Sequence, residues 1–408
     1  MKILLYSQFC TPEPVFKSVP FARELKRRGH DVRILTGFPN YPGGHLYPGY
    51  PLRWRQRETI DGIPILRVPL YPSHNPSVLH RGLNYASFMA ASALPLLAGW
   101  RPDVVYVYNL VTLGFLTSLN STFRGVPYIL DIQDLWPDSV FQSGMGRPWM
   151  RALIDRLCRR AYSHAARVVA LSPGMVETLA SRGVPRARLQ CIYNWCDEQG
   201  LALGDQPAPA GAPPPGFEGR FNVVYAGNLG LVQALDAVVE AAALAAQTNP
   251  AIQFVFMGKG VAQEALQAQA SRVAPQNTLF LANRPLAEAS AVMAHADALL
   301  IHLQPKPLFE FTIPSKTQAY LATGRPVLAA VGHDASQLVE RARAGFGCTP
   351  GNPAAIADAA LRLAALPPAE RTDMGRRGRE FYRRELSLQV GVNHWERVFA
   401  EAVAQPSI

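Results

Sequence analysis

The chain has 408 residues, of which 49% are hydrophobic and 17% charged, with a net charge of +10. That length accommodates two or three domains with full-sized cores, and the composition excludes a disordered chain. Five cysteines without a CxxC pair fit reduced thiols in the cytosol, and Met1-Lys2 leads into a short apolar run that lacks a signal-peptide cleavage site. The charge is unevenly placed: residues 1–198 hold 23 Lys+Arg against 13 Asp+Glu, while 199–408 hold 17 against 17. Nine arginines fall within 147–188. A basic face of this kind attracts anionic lipid or an anionic substrate, and a solvated arginine-rich surface stays open as the plain alternative. Nucleic acid is not an expected partner, because no aromatic platform is interleaved with the arginines and no DNA-reading motif is present.

KILLYSQF (2–9) reads as a strand, followed by a loop, Cys10–Pro20, with three prolines and no glycine. Val19 to Arg28 has the pattern of an amphipathic helix, and DVRILTGF is the next strand, giving a βαβ unit over 1–38. Its first turn lacks G-x-G-x-x-G, which argues against a dinucleotide cofactor. PNYPGGHLYPGYP (39–51) is dense in Pro, Gly and Tyr, as binding loops are. GIPILRVPLYP is a strand. Leu83–Trp100 is a long apolar segment between Arg81 and Arg101. Asn84, Ser87, Ser92 and Pro95 interrupt it, so it reads as a largely buried helix, with contact to a bilayer surface left open, and not as a span.

DVVYVYN is a core strand. PYILDIQDLWPD (127–138) is a strand running into a polar turn, which places Asp131, Asp134, Trp136 and Asp138 at or past its carboxyl end, where ligands sit in open α/β sheets. A helix over about 150–166, the strand RVVALS and a last strand in QCIYNWCDE (190–198) complete the first half. Residues 204–220 are rich in Pro, Gly and Ala and read as a surface insertion. The second half repeats the alternation of strand and helix from FNVVYAGNLG to ALLIHL, with further helices over 354–366 and 368–386 and a terminal one from Ser387. The fold class is therefore α/β, with two doubly wound Rossmann-like domains facing a cleft.

The stretch Pro307–Leu328 reads as loop, helix, turn and strand. Ser315 and Gln318 have capping-box spacing, Gly324 ends the helix, and Val327–Val331 is a buried strand. The helix start offers free N–H groups and the positive end of a dipole, a ready phosphate site. Lys316 in that first turn opposes the dipole, and a bound anion would remove the conflict; an ordinary helix with a solvated lysine is the other reading. Gly227-Asn228-Leu229-Gly230 and Gly258-Lys259-Gly260 follow strands on the same sheet edge. With Lys316 they make a phosphate-sized positive pocket, and a nucleoside diphosphate is its expected ligand. Glu310 is the acid in the loop before the helix, able to accept from sugar hydroxyls or to be merely solvated. Asp134 and Asp131 are the acids placed for an acceptor hydroxyl or general-base work, with closure of a core turn as the alternative, and favoured, reading of Asp131. No His/Cys/Asp cluster has metal-ligand spacing.

These motifs have a family likeness. YSQFCTPEP, LTGFPNYPGG, DIQDLWPDS, IYNWCDE, YAGNLGLVQALDAVVEAA and PLFEFTIPSKTQAYLATGRPVLA together resemble the retaining GT-B glycosyltransferases of family 4. More narrowly, the chain is similar to the fucosaminyltransferase-like members that build bacterial O-antigen and capsule. The resemblance implies an acceptor domain over 1–198, a nucleotide-sugar domain over 199–385 and a C-terminal helix, 386–408, packing back on the first domain. It implies a UDP-linked sugar as donor substrate, no cofactor and no metal, and a polyprenyl-pyrophosphate-linked acceptor at the inner face of the cytoplasmic membrane, where the enzyme is peripheral. Lys316, Glu310 and Asp134 become the catalytic candidates. Donor contacts fall to Gly227, Asn228, Gly230, Gly258, Lys259, Arg284, Thr312, Ile313, Pro314, Ser315 and Gln318. Acceptor contacts fall to Glu13, Pro14, Lys17, Asn40, Tyr41, Asp131 and Trp136. A sugar-nucleotide epimerase on the same fold and a non-catalytic nucleotide-sugar-binding scaffold are the competing readings.

The sequence departs from the broader family in places. Of its two glutamates eight apart, the second position is Ala319, and Glu310 lies one residue out of frame with the first. The Arg and Lys expected after the first glycine turn are Asn228 and Gln233, which leaves Lys259, Arg284 and Lys316 to take over. The family's histidine before an aspartate is Gln133, ahead of Asp134.

Overall fold

The computed structural model describes residues 1–73, 78–138, 148–201 and 212–404. It has two compact units, Met1–Tyr193 with Gly391–Ile408, and Asn194–Val390. The composition break at 204–220 thus falls inside the second unit, and its first part, 204–211, lies outside the described residues.

The first unit runs β1 (Lys2–Tyr6), α1 (Val19–Arg27), β2 (Asp31–Gly37), β3 (Gln56–Ile60), β4 (Ile63–Val68), α2 (Val78–Ala98), β5 (Val104–Tyr108), α3 (Val111–Arg124), β6 (Tyr128–Ile132), α4 (Pro148–His164), β7 (Arg167–Ala170), α5 (Pro173–Ser181) and β8 (Leu189–Cys191). Its sheet has the order β3-β4-β2-β1-β5-β6-β7-β8. Every pairing is parallel except β3 with β4. β5 is an unbroken apolar run, and β6 is buried along its whole length, because both faces of each are covered. β3 was not expected from the sequence. Its signal is Asp61-Gly62, both at positive φ, the dipeptide that closes a two-residue hairpin. The strand expected over 190–198 is shorter, since only Leu189–Cys191 pair, and Trp195 and Cys196 are buried as loop residues.

The second unit runs β9 (Phe221–Ala226), α6 (Asp236–Thr248), β10 (Ile252–Met257), α7 (Gln263–Val273), β11 (Thr278–Leu281), α8 (Leu286–Met293), β12 (Ala298–His302), α9 (Ser315–Thr323), β13 (Val327–Ala330), α10 (His333–Arg341), β14 (Gly345–Gly347), α11 (Pro353–Ala365) and α12 (Pro368–Phe381). Its wholly parallel sheet has the order β11-β10-β9-β12-β13-β14. The strand order reverses between β9 and β12, and in the first unit between β1 and β5. Loops leaving the carboxyl ends of such strand pairs form the ligand crevice of doubly wound folds.

α13 (Leu388–Ala404) begins in the second unit and, from Gly391, belongs to the first. Its Trp395 ring meets Phe21 of α1 at 6.2 Å and Tyr106 of β5 at 5.0 Å. Glu396 takes both Arg28 (2.6 Å) and His30 (2.9 Å).

Candidate active site

In the second unit, two glycine turns pack backbone against backbone at the carboxyl edge. Gly258 has φ +151° and Gly227 has φ +135°, which only glycine adopts without strain. A Cβ on Gly258 would lie 1.9 Å from the Gly227 carbonyl oxygen, and one on Gly260 would lie 2.2 Å from that of Leu229. Leu229 N donates to Lys259 O at 2.9 Å, so the two turns are one assembly. The glycines therefore let two turns merge, a role sequence reasoning had given wholly to a phosphate.

Lys316 lies beside that assembly. A Cβ on Gly227 would meet Lys316 Nζ at 2.9 Å. Lys316 Nζ donates to the Tyr225 hydroxyl at 2.7 Å, and Tyr225 in turn donates to Asn228 O at the same distance. No carboxylate lies within 4.0 Å of Lys316 among the described residues. Burial alone pulls its pKa down from the usual lysine value to about 8. A half-buried cation with no carboxylate counter-ion among the described residues is placed to receive an anion from outside the chain.

α9 starts one residue earlier than expected from the sequence, which put Ser315 at the N-cap. Pro314 is its N-cap and Ser315 its first helical residue, with no side-chain cap. The capping box therefore does not form. With its amide turned to donate, Gln318 instead reaches the carbonyl oxygens of Pro314 (3.0 Å) and Ser315 (3.3 Å). Proline offers no side-chain acceptor, so the first-turn N–H groups stay uncapped by side chains. Ahead of the helix, Thr312 Oγ1 donates to Leu308 O at 2.9 Å and Ile313 is buried, which fixes the loop.

Glu310 is engaged with the next helix. One carboxylate oxygen accepts from His333 N at 3.3 Å, and its carbonyl accepts from Asp334 N at 3.0 Å, at the start of α10. Arg284 follows the edge strand β11 and lies 3.7 Å from Glu288. β11 pairs with β10 and not with β9. The side chain of Lys259 is exposed, and that of Asn228 is exposed 3.3 Å from Gln233. Sequence reasoning missed Tyr225 and His302. His302 is buried, its Nε2 accepts from Gly351 N at 3.0 Å, and its Nδ1 therefore donates to Gln233 O at 2.6 Å. Burial lowers its pKa and keeps it neutral, a brace for the loop after β9. Neither residue stands out in sequence from ordinary strand-end core.

In the first unit, several expected acceptor contacts prove to be internal. Glu13 accepts from Asn40 N and Tyr41 N at 2.8 Å each and from Cys10 N at 2.8 Å. It ties the loop after β1 to the loop after β2, and burial raises its pKa against those three hydrogen bonds. Asn40 is likewise buried, donating to Phe38 O. Lys17 and Asp131 form an ion pair at 2.7 Å with their side chains sealed from solvent. Tyr106 donates to the same carboxylate at 2.5 Å, and Gln133 to its other oxygen at 2.6 Å. Lys17 and Asp131 are therefore core partners and not surface contacts, because a buried charge must find its opposite.

Three candidates reach the surface and a fourth is buried. Pro14 is exposed, Tyr41 is exposed with its ring 5.4 Å from Phe9, and Trp136 is buried, packed edge-on to Tyr85 at 5.9 Å. The Asp134 side chain is solvent-exposed. Desolvation raises its carboxyl pKa, opposed by a hydrogen bond from Asn109, which follows β5 at φ +65°. Exposed, it is free to accept a hydrogen bond from a hydroxyl.

Comparisons with known proteins give these sites a context. Residues 20–195 match the family described as "Glycosyl transferase 4-like domain", and residues 220–365 match "Glycosyl transferases group 1". The chain is 27% identical over 340 residues to "Putative colanic acid biosynthesis glycosyl transferase WcaI" of Escherichia coli K12, covering 79% of this chain and 82% of that one. It is 25% identical over 238 residues to "Probable glycosyltransferase WbjE" of Pseudomonas aeruginosa, covering 57% and 58%. Among solved structures, Anabaena HepE in complex with UDP superposes with a TM-score of 0.69 at 17% identity, over 98% of this chain and 100% of that one. An E. coli trehalose-6-phosphate enzyme bound with UDP-2-fluoro glucose gives 0.72 at 12%, over 99% of each. Two Rossmann-like units of matching topology, each matched by a glycosyltransferase domain family, make this chain a glycosyltransferase of the GT-B fold.

Proposed function

We propose that the enzyme moves a sugar from a UDP-linked donor onto a polyprenyl-pyrophosphate-linked or other glycan acceptor during synthesis of a bacterial surface polysaccharide. The donor sugar is an N-acetylated deoxyhexosamine such as FucNAc. The name of the E. coli relative supports the pathway class, and UDP in the HepE complex supports the donor class. The observation that carries the reading is Lys316, a desolvated cation without a carboxylate partner beside the Gly227 turn and in the first turn of α9.

In this reading the donor diphosphate lies against Lys316, the Gly227–Gly230 turn and the Thr312–Ser315 loop. The acceptor hydroxyl attacks from the leaving-group face, so configuration is retained. Its proton passes to a phosphate oxygen as the sugar–phosphate bond breaks and the glycosidic bond forms. Lys316 and the α9 dipole hold the charge that develops on the departing UDP, the part a metal ion plays elsewhere. The second oxygen of Glu310 accepts from donor sugar hydroxyls, and Asp134 holds the acceptor hydroxyl. Thermal-shift titration with UDP, ADP and GDP tests the assignment. UDP alone should stabilise the wild type and not Lys316→Ala; an equal shift in that variant would remove Lys316 from the site.

A further inference from the structure

Asn109 stands directly past β5, at the point where the strand order of the first unit reverses. Its backbone N–H donates to Asp131 O at 2.9 Å, which pins it to β6. Its φ is +65°, in the left-handed region where asparagine is the side chain tolerated best after glycine. α3 begins two residues later, behind Leu110, with no side-chain cap. Asparagine is among the strongest capping side chains, yet this one does not cap the helix. Its amide donates instead to the Asp134 carboxylate. Its Oδ1 is buried and has no hydrogen-bond partner among the described residues. Asn109 thus carries a left-handed backbone and an orphan carbonyl oxygen, and a glycine would lift both costs. Local costs borne together at the mouth of a doubly wound sheet point to the group that the residue holds.

That group is an acid of a particular kind. Asp131, three residues earlier, is sealed and fully engaged by Lys17, Tyr106 and Gln133. Asp134 is exposed, and no lysine, arginine or histidine lies within 4.0 Å of it among the described residues. Tyr85 of α2 and Tyr108 at the end of β5 lie within electrostatic reach of Asp134 and of Tyr41, and Tyr85 of Arg81 as well. A carboxylate set among aromatic rings, with no cation on it, can accept from a sugar hydroxyl while the rings meet the C–H faces. The fold gives Asp131 its partners from the core; it gives Asp134 the amide of Asn109.

We propose that Asn109 is a positioning residue of the acceptor site, fixing and orienting the Asp134 carboxylate that takes the acceptor hydroxyl. This rests on the reading of Asp134 as the acceptor-binding acid. The amide bond favours the ionised carboxylate, so losing it moves the Asp134 titration to higher pH. Asn109→Gly removes the amide and relieves the backbone. Carbon-detected NMR of the Asp134 carboxyl should show the titration at higher pH in this variant, while the melting temperature holds or rises. Transfer is measured with the UDP-sugar and the polyprenyl-pyrophosphate-linked saccharide that the wild type turns over fastest. There kcat/KM for the saccharide should fall about tenfold and its acid limb should move to higher pH, with KM for the UDP-sugar unchanged. Asn109→Asp, which sets a like charge beside Asp134, should move both further. In an Asp134→Asn background, Asn109→Gly should cost less than about twofold. An unmoved titration, a lost rate with an unmoved acid limb, or an equal loss in the Asp134→Asn background overturns the role of Asn109 and leaves it a prop for α3. A wild type stabilised by UDP that transfers to none of these saccharides overturns the acceptor reading itself.

Discussion

The backbone of Gly227 passes so near the Lys316 side chain that a Cβ there would sit 2.7 Å from Cε. The first glycine turn is thus shaped around the lysine that follows from a helix nearly ninety positions later in the chain, and the two act as one anion site. Gly227→Ala should displace the flexible end of Lys316 and strain a backbone at φ +135°. UDP affinity should fall about tenfold or more while the second unit still folds. Gly258→Ala is different, because its Cβ would strike the carbonyl of Gly227, which cannot swing aside. Denaturant melts should show several kcal/mol of destabilisation, of the order seen for overpacking combined with backbone strain.

Lys316→Met should separate function from stability. The folded protein holds a cation whose pKa is lowered by burial to about 8, against about 10.5 for an unfolded lysine. Below pH 8 both states are charged and the fold bears the full desolvation penalty. Between about 8 and 10.5 the unfolded chain binds the extra proton, so this penalty fades as pH rises. At neutral pH the methionine variant should melt roughly 2–4 °C higher, the equivalent of about 1 kcal/mol in a unit of this size. Its transfer rate should fall by about 100- to 1000-fold. A melting temperature below that of wild type would mean that the Tyr225 contact outweighs the burial of charge.

The same shift predicts a pH dependence for the donor. Diphosphate binding needs protonated Lys316, so UDP affinity should decline as pH rises through about 8. Around that pH, binding should take up a proton, since the anion favours the charged amine. Calorimetry in two buffers of different ionisation enthalpy measures this directly, and proton uptake should vanish in Lys316→Met.

Asp131 and Lys17 call for a test in the first unit. Asp131→Asn leaves Lys17 buried without its counter-charge, and the variant should lose about 3–5 kcal/mol. The double replacement Lys17→Met/Asp131→Leu should recover most of that loss. By contrast, Asp134→Asn should leave stability and UDP binding alone and reduce kcat/KM for the acceptor about 10- to 100-fold. Equal damage from Asp131→Asn and Asp134→Asn to the fold would place Asp134 in the core as well.

Chelation is the remaining test. If Lys316 and the α9 dipole balance the leaving diphosphate, prolonged EDTA treatment should leave transfer within about twofold of the untreated enzyme. A rate that collapses and returns on adding a divalent cation would assign that charge to a metal.

Much of this protein is set by local sequence. Apolar runs between glycine turns fixed the parallel strands, because strands covered on both faces need no polar side. Pro314, Gly324 and Pro326 bounded α9 to within one residue. Lys316 was visible as a cation in the wrong turn of a helix. What the tertiary structure alone decided is which polar side chains face one another. Lys17 and Asp131 lie 114 positions apart and read separately as site residues, until the packing of the loop after β1 against β6 seals them together. Glu13 looks like a binding carboxylate until three backbone N–H groups from two loops are found on it. Tyr225 and Gly227 gain their meaning only from the lysine brought to them across the sheet. Periodicity records whether a side chain points in or out; it carries no information on the distant partner that satisfies a buried charge, and that partner separates a core ion pair from a site.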